Sequence, residues 1–76
     1  MEEKLDERVE KFLDAETLEE KYDIANGFGE IDITDYFIDT MATSLDVVIP
    51  EGDVYERYRQ LLGAIRTKMK YEIRRN

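Results

Sequence analysis

The sequence predicts an all-α fold, a small bundle of three to four helices that forms one domain over residues 1–76. Three observations lead to this prediction. Apolar residues recur at spacings of three and four along most of the chain, which is the period of an amphipathic helix. An Asp or Thr that can cap a helix precedes each of the later apolar runs. Only one short stretch has the β-branched composition that is typical of a strand.

The longest helix is predicted at the C-terminal end, over residues 53–74, and we expect it to form the spine of the bundle. Asp53 has a carboxylate that can accept hydrogen bonds from the first turn of this helix. One apolar stripe follows at helical spacing, and the shorter helices are expected to pack on it. The stripe consists of Val54, Tyr58, Leu61, Leu62, Ile65 and Met69.

The N-terminal third is predicted to contain two helices, the first over residues 2–14 and the second beginning after Thr17, which opens a capping-box pattern. The second is expected to end at Asn26-Gly27, because either residue takes the left-handed conformation readily. One bent helix through both segments is the alternative, but the apolar stripe shifts register near residue 16, which favours two. The residues expected inside are Leu5, Val9, Phe12, Leu13, Leu18, Tyr22 and Ala25.

A third helix is predicted from a cap at Asp32 or Thr34 to about Ser44 or Leu45. Phe28 precedes it between two glycines, and we expect its ring in the core, with an exposed anchor for a partner as the alternative. Tyr36 falls on the side of the helix opposite its apolar stripe, and we expect it in solvent. The stripe consists of Phe37, Ile38, Met41, Ala42 and Leu45.

The segment 46–50, with the sequence Asp-Val-Val-Ile-Pro, resembles a strand in composition. No second segment offers it a partner strand, and Pro50 disfavours helix at the residue before it. We therefore expect an extended connector whose valines fill the core. Pairing between the connectors of two copies is the alternative.

The net charge of −8 is distributed unevenly along the chain. Residues 1–56 contain 18 acids and 4 bases, whereas residues 57–76 contain 1 acid and 7 bases. Such asymmetry is typical of a basic arm for nucleic acid or of an acidic face for a basic partner. The interpretation that we favour is that the two parts pack together and neutralise each other.

The composition argues against catalysis and against a metal site. The chain has no histidine and no cysteine, and therefore lacks the commonest general base and the thiolate nucleophile. We expect no enzymatic activity, no catalytic residue and no cofactor. The acids Glu30, Asp32 and Asp35 are spaced like part of a calcium loop, but the Gly and Glu that such a loop requires are missing. We expect these acids to cap helices or to face solvent.

The sequence also predicts a protein of the cytoplasm that does not enter a membrane. No apolar run is close in length to a membrane-spanning helix, which needs about 20 residues. The first residues, Met-Glu-Glu-Lys, lack the basic start of a signal peptide, and the absence of cysteine fits a reducing compartment.

The function predicted from these features is that of a small, non-enzymatic interaction or regulatory protein, an adaptor or inhibitor that binds a basic protein partner. Mimicry of nucleic acid is a sharper form of the same hypothesis, and no motif selects it. The candidate partner-binding residues in the acidic part of the chain are Asp32, Asp35, Tyr36 and Asp39.

A second group of candidates, Gln60, Ala64 and Tyr71, shares one face of the last helix with Arg57 and lies beside Gly63. Gly63 and Ala64 leave a shallow spot where another backbone could approach, which suits a homodimer or a partner helix. A tolerant surface position or a slight bend of the helix is the alternative. Two alternatives stay open for the function, a self-associating structural bundle and a nucleic-acid accessory protein that uses the basic last helix. We do not favour nucleic acid, because the bases are spread around that helix and the rest of the chain repels phosphate.

Overall fold

A computed structural model describes the backbone of residues 2–75 and the side chains of residues 7–72, and within that range it contains four helices and no strand. The helices are α1 (Glu2–Asp14), α2 (Leu18–Asp32), α3 (Asp35–Ser44) and α4 (Val54–Arg75). Helices α2 and α3 each pack against both α1 and α4. The prediction of an all-α bundle with a long C-terminal helix is therefore confirmed. Along residues 2–75, no helix has an apolar stretch of the length needed to span a membrane.

Helix α4 forms the spine of the bundle through the predicted apolar stripe. Tyr58, Leu61 and Ile65 are buried in the core. The remaining members of the stripe are half-buried against that core, and they are Val54, Leu62 and Met69. The helix begins where the sequence predicts, because the carboxylate of Asp53 accepts a hydrogen bond of 3.1 Å from the amide of Tyr55.

Helices α1 and α2 are separate, as predicted. The hydroxyl of Thr17 caps α2 by accepting from the amide of Glu20 at 3.1 Å. The Lys21 ammonium donates to the Phe12 carbonyl at 2.6 Å, which satisfies one of the free carbonyls at the end of α1. Leu13 was expected inside, and this prediction is wrong because its side chain is 43% exposed. Phe12 fills the core as predicted, and Leu13, about 100° further around the helix, faces away from it.

Helix α2 does not end at Asn26-Gly27, and that prediction is wrong. Both residues remain helical, and the helix is interrupted only at Gly29, whose φ of 69° and ψ of 176° are non-helical. Burial of Phe28, which is 2% exposed, explains the difference. Burying a Phe side chain stabilises by about 1.5–3 kcal/mol, which exceeds the cost of about 1 kcal/mol for a glycine inside a helix. The expectation that the Phe28 ring lies in the core is confirmed.

Helix α3 begins and ends with well-formed caps. The Thr34 hydroxyl accepts from the amide of Phe37 at 3.2 Å, and the predicted apolar stripe of α3 is buried. At the other end, the amide of Val47 donates to the Ala42 carbonyl at 3.0 Å, while Asp46 has a positive φ of 61°. These features form a Schellman cap, in which one left-handed residue reverses the chain.

The connector between α3 and α4 contributes to the core at alternate residues. Val47 and Ile49 are half-buried against the core, whereas Val48 is 90% exposed. The prediction that both valines fill the core is therefore wrong for Val48. Successive side chains of a non-helical, extended segment point to opposite sides, so only every second one reaches the interior.

Most side chains that were predicted for the core are confirmed. The largest of the wholly buried ones are Phe12, Ile38, Met41, Leu61 and Ile65. Leu18 and Tyr22 pack at the edge of this core, and Ala25 lies inside it. The prediction for Leu5 lies outside the side chains that the structure describes.

Candidate interaction surfaces

Arg57 lies at the centre of the acidic residues that were singled out on α3. Its guanidinium donates from Nη1 to Asp35 Oδ1 and from Nη2 to Asp39 Oδ1, both at 2.6 Å. Its Nε donates to the Pro50 carbonyl at 3.0 Å. Arg57 was expected on the solvent face of α4, and this prediction is wrong because the residue is only 9% exposed. Two carboxylates and the connector carbonyl satisfy the guanidinium, which makes its burial tolerable.

Asp35 and Asp39 are four residues apart on α3 and therefore share one face of that helix. Their side chains remain 62% and 64% exposed, although each gives one carboxylate oxygen to Arg57. The hydrogen bond that Arg57 donates to Asp39, and then the one that it donates to Asp35, raise the pKa of Arg57 above its ordinary value, against the opposing effect of burial. The arginine therefore stays charged and holds both carboxylates in place at the surface.

Tyr36 lies on the same exposed side of α3, next to Asp35. Its side chain is 68% exposed, as predicted, and its ring stands 5.8 Å from that of Phe37 between centroids. A shallow cleft of about 280 Å³ borders the group and is lined by Asp35, Glu51, Gly52 and Arg57. We name the four exposed residues of this region the α3 surface: Asp35, Tyr36, Asp39 and Glu51.

Asp32 has a different partner from the other predicted acids. Its carboxylate accepts from Arg8 Nη2 at 3.1 Å, which ties the end of α2 to α1. Arg8 also stands over the ring of Phe28, with 5.0 Å between its Cζ and the ring centroid. The contacts of Asp32 thus join helices and do not involve Arg57.

The predicted residues of α4 are only partly brought together. Gln60 is exposed, Ala64 is half-buried, and Tyr71 is 62% exposed. Only Tyr71 lines a groove of about 400 Å³ that runs between the start of α2, the end of α3 and the last turns of α4. A methyl group added at Gly63 would meet nothing within 4 Å, so the helix surface is open there.

An acidic corner at the junction of α1 and α2 was not among the partner-binding residues predicted from the sequence. It borders an open hollow of about 410 Å³ with Ala15 and Ile24 in its lining. The signal was present as five acids within ten residues. The exposed acids of this corner are Asp14, Glu16, Glu19, Glu20 and Asp23.

Neutralisation between the acidic and basic parts of the chain is concentrated in the first turns of α4. Arg57 pairs with two acids, and Arg59 lies 3.9 Å from Glu30. Among the side chains of residues 7–72, no ion pair involves Arg66, Lys68 or Lys70. Among the described side chains, the acidic and basic parts of the chain therefore neutralise each other at the start of α4 but not in its later turns.

No group of three or more acidic side chains within the described range is arranged to hold a metal ion. Neither a protein-family model, nor a curated protein, nor a solved structure matches the chain. The function is therefore inferred from the chemistry of the surfaces described above.

Proposed function

We propose that the protein is a non-enzymatic interaction protein whose α3 surface binds a basic protein partner. One observation carries the proposal. Arg57 fixes Asp35 and Asp39 in position, yet more than 60% of each side chain stays exposed beside the exposed ring of Tyr36. Each carboxylate uses Oδ1 for Arg57, so Oδ2 is directed to no hydrogen-bond donor among the described residues. Those oxygens suit a lysine or arginine of a partner.

The fixed carboxylates reduce the entropic cost of binding. Ordering a flexible side chain in an interface costs about 0.5–1.5 kcal/mol. Arg57 already holds the side chains of Asp35 and Asp39 in place before a partner binds. Tyr36 adds a large, rigid contact of the residue type that is enriched among binding hot spots. The excess of acids over bases in residues 1–56 accelerates encounter with a basic surface.

The biological role that follows is that of an adaptor or inhibitor, which occupies a basic surface of its partner. Mimicry of nucleic acid is one form of this role, in which the occupied surface is a phosphate-binding groove. We also propose the cytoplasm as the compartment, since a chain without cysteine has no need of an oxidising one.

The test is affinity capture from the native host with the wild-type chain and two variants as baits. Tyr36→Ala removes the exposed aromatic of the α3 surface. Tyr55→Ala is the matched control, because this tyrosine is 45% exposed but lies at the start of α4. We expect the wild type and Tyr55→Ala to capture the same basic protein, identified by mass spectrometry, and Tyr36→Ala to lose it.

Salt dependence gives a second readout of the same interaction. Binding between the purified partner and the wild type is expected to weaken as salt rises from low to moderate, since exposed charges are screened over about 10 Å at 0.1 M. Equal capture by Tyr36→Ala and wild type, or affinity that does not change with salt, would rule out the α3 surface as the binding site.

A second candidate function is association with nucleic acid through the later turns of α4. The observation that favours it is that Arg66, Lys68 and Lys70 form no ion pair with the described side chains, while Tyr71 offers an exposed ring for stacking. A mobility-shift assay with single- and double-stranded oligonucleotides at low salt tests it. The absence of any shift would eliminate this candidate.

A further inference from the structure

The groove beside Tyr71 combines apolar walls with two opposite charges. Leu18 of α2 and Leu45 at the end of α3 line it together with Tyr71 of α4. Lys68 and Glu72 line it as well, one helical turn apart on α4. No ion pair joins Lys68 to Glu72, or either residue to another side chain of residues 7–72, so within this range both charges are available to another molecule.

A patch with these contents is complementary to itself. A two-fold axis places the same patch on both sides of an interface. The lysine of one copy can therefore meet the glutamate of the other, and the reverse pair forms at the same time. When two α4 helices cross in antiparallel fashion about an axis midway between Lys68 and Glu72, Lys68 of each copy faces Glu72 of the other. The axis then passes close to Tyr71, which lies between them in the sequence.

We propose that this groove is the interface of a two-fold homodimer, in which Tyr71 of each copy enters the groove of the other and Lys68 pairs reciprocally with Glu72. The groove of about 400 Å³ accommodates an aromatic ring, and Tyr71 is 62% exposed in the single chain. Its ring would cover Leu18 and Leu45 of the second copy. The aromatic contact supplies the central anchor of the interface, and the charge pairs set its register.

The face of α4 that carries Lys68 and Tyr71 is shallow one turn before the groove. Gln60, Ala64, Lys68 and Tyr71 follow the i, i+4, i+8, i+11 pattern of one helix face. Ala64 and the neighbouring Gly63 carry no large side chain, which allows a second backbone to approach closely. The inference does not depend on the proposed basic partner, whose site lies on α3.

The experiment is a concentration series by analytical ultracentrifugation of the full chain. We expect the wild type to approach twice the chain mass of 9.0 kDa as concentration rises. Lys68→Glu and Glu72→Lys, taken singly, each place like charges opposite one another and are expected to weaken dimerisation about tenfold or more. Lys70→Glu makes the same charge change on an exposed residue outside the groove lining and serves as the matched control.

An equimolar mixture of the two single variants distinguishes pairing between chains from pairing within one. Lys68→Glu carries two glutamates and Glu72→Lys two lysines, so only the mixed dimer restores both ion pairs. We expect the mixture to dimerise more tightly than either variant alone. Tyr71→Ala is expected to give monomer, with its helical circular dichroism unchanged. A wild type that stays monomeric at every concentration, or a dimer that Lys68→Glu, Glu72→Lys and Tyr71→Ala all leave unchanged, would overturn the proposal.

Discussion

The phenol hydroxyl of Tyr58 replaces the backbone hydrogen bond that α2 loses at Gly29. In an unbroken helix the Gly29 amide would donate to the Ala25 carbonyl. Instead, the amide donates to the Tyr58 hydroxyl at 3.1 Å, and that hydroxyl donates to the Ala25 carbonyl at 2.6 Å. A side chain of α4 therefore bridges the interrupted turn of α2 inside the core.

Tyr58→Phe is expected to destabilise the protein by about 1–3 kcal/mol, the cost of leaving buried polar groups without partners. The ring would stay in the core, where Tyr58 is 4% exposed, but the Gly29 amide and the Ala25 carbonyl would lose their shared partner. Urea denaturation measures the loss. Tyr55→Phe is the control, since this tyrosine is 45% exposed, and we expect it to be neutral within about 0.5 kcal/mol. An equally stable Tyr58→Phe would show that the hydroxyl does not support the break in α2.

The same hydroxyl predicts a loss of stability in alkaline solution. Burial raises the pKa of Tyr58 above its ordinary value of 10.0, and the smaller opposing effect comes from the Gly29 hydrogen bond. Because the folded state holds the proton more tightly, the contribution is fully present below pH 10.0 and is lost as pH rises through the folded pKa. The difference in unfolding free energy between wild type and Tyr58→Phe is therefore expected to shrink as pH rises above 10.0. Effects of alkaline pH that are common to the two proteins cancel in this difference.

The sequence was sufficient for the helices because their signals are local. Thr17 and Asp53 were predicted as caps, and Thr34 was one of two alternatives for the third helix. Each of the three accepts a hydrogen bond from the first turn of its helix. The position of the break in α2 could not be predicted from such local signals. Gly27 and Gly29 carry the same local signal, and the choice between them depends on burial of the intervening ring and on Tyr58, which is distant in sequence.

The burial of Arg57 shows why the candidate site was only partly predicted. A charged residue in a helical pattern counts as exposed, and nothing near Arg57 in sequence indicates otherwise. Its partners Asp35 and Asp39 lie 22 and 18 residues away, so the cluster exists only once α3 packs on α4. The acids and the exposed Tyr36 were found from the sequence, whereas the arginine that fixes the two carboxylates required the tertiary structure.

Arg57→Met is expected to lower the unfolding free energy by about 1–3 kcal/mol, since hydrogen bonds to charged groups are lost. The released carboxylates of Asp35 and Asp39 are mostly exposed, so no buried unpaired charge adds to this cost. Thermal and chemical denaturation measure the change, and binding to a basic partner is expected to weaken as well. Arg59→Met is the control, because that arginine is 72% exposed and 3.9 Å from Glu30, and we expect an effect below about 0.5 kcal/mol. Equal stability of the two variants would contradict the role given to Arg57.

The two glycines of α2 are predicted to respond to alanine in opposite directions. Gly27 is helical, and an added methyl group meets nothing within 4 Å, so Gly27→Ala is expected to stabilise by about 0.5–1 kcal/mol. Gly29→Ala also has open space, but its φ of 69° and ψ of 176° suit glycine almost exclusively. We expect a loss of about 1–3 kcal/mol there from backbone strain alone. Unfolding curves of both variants measure the two changes in stability. An increase in stability for Gly29→Ala would show that the break in α2 is not at Gly29.

Asp46 occupies the one position of the Schellman cap at which glycine is preferred. Its φ of 61° strains a residue with a side chain, and its negative charge lies at the end of α3, where the helix dipole disfavours it. Asp46→Gly removes both costs and is expected to stabilise by about 0.5–1 kcal/mol after the greater flexibility of unfolded glycine is subtracted. Asp46→Asn removes the charge alone and tolerates the same backbone, so its smaller gain measures the electrostatic part. Chemical denaturation ranks the three proteins, and a wild type more stable than Asp46→Gly would mean that the aspartate side chain makes a compensating contact.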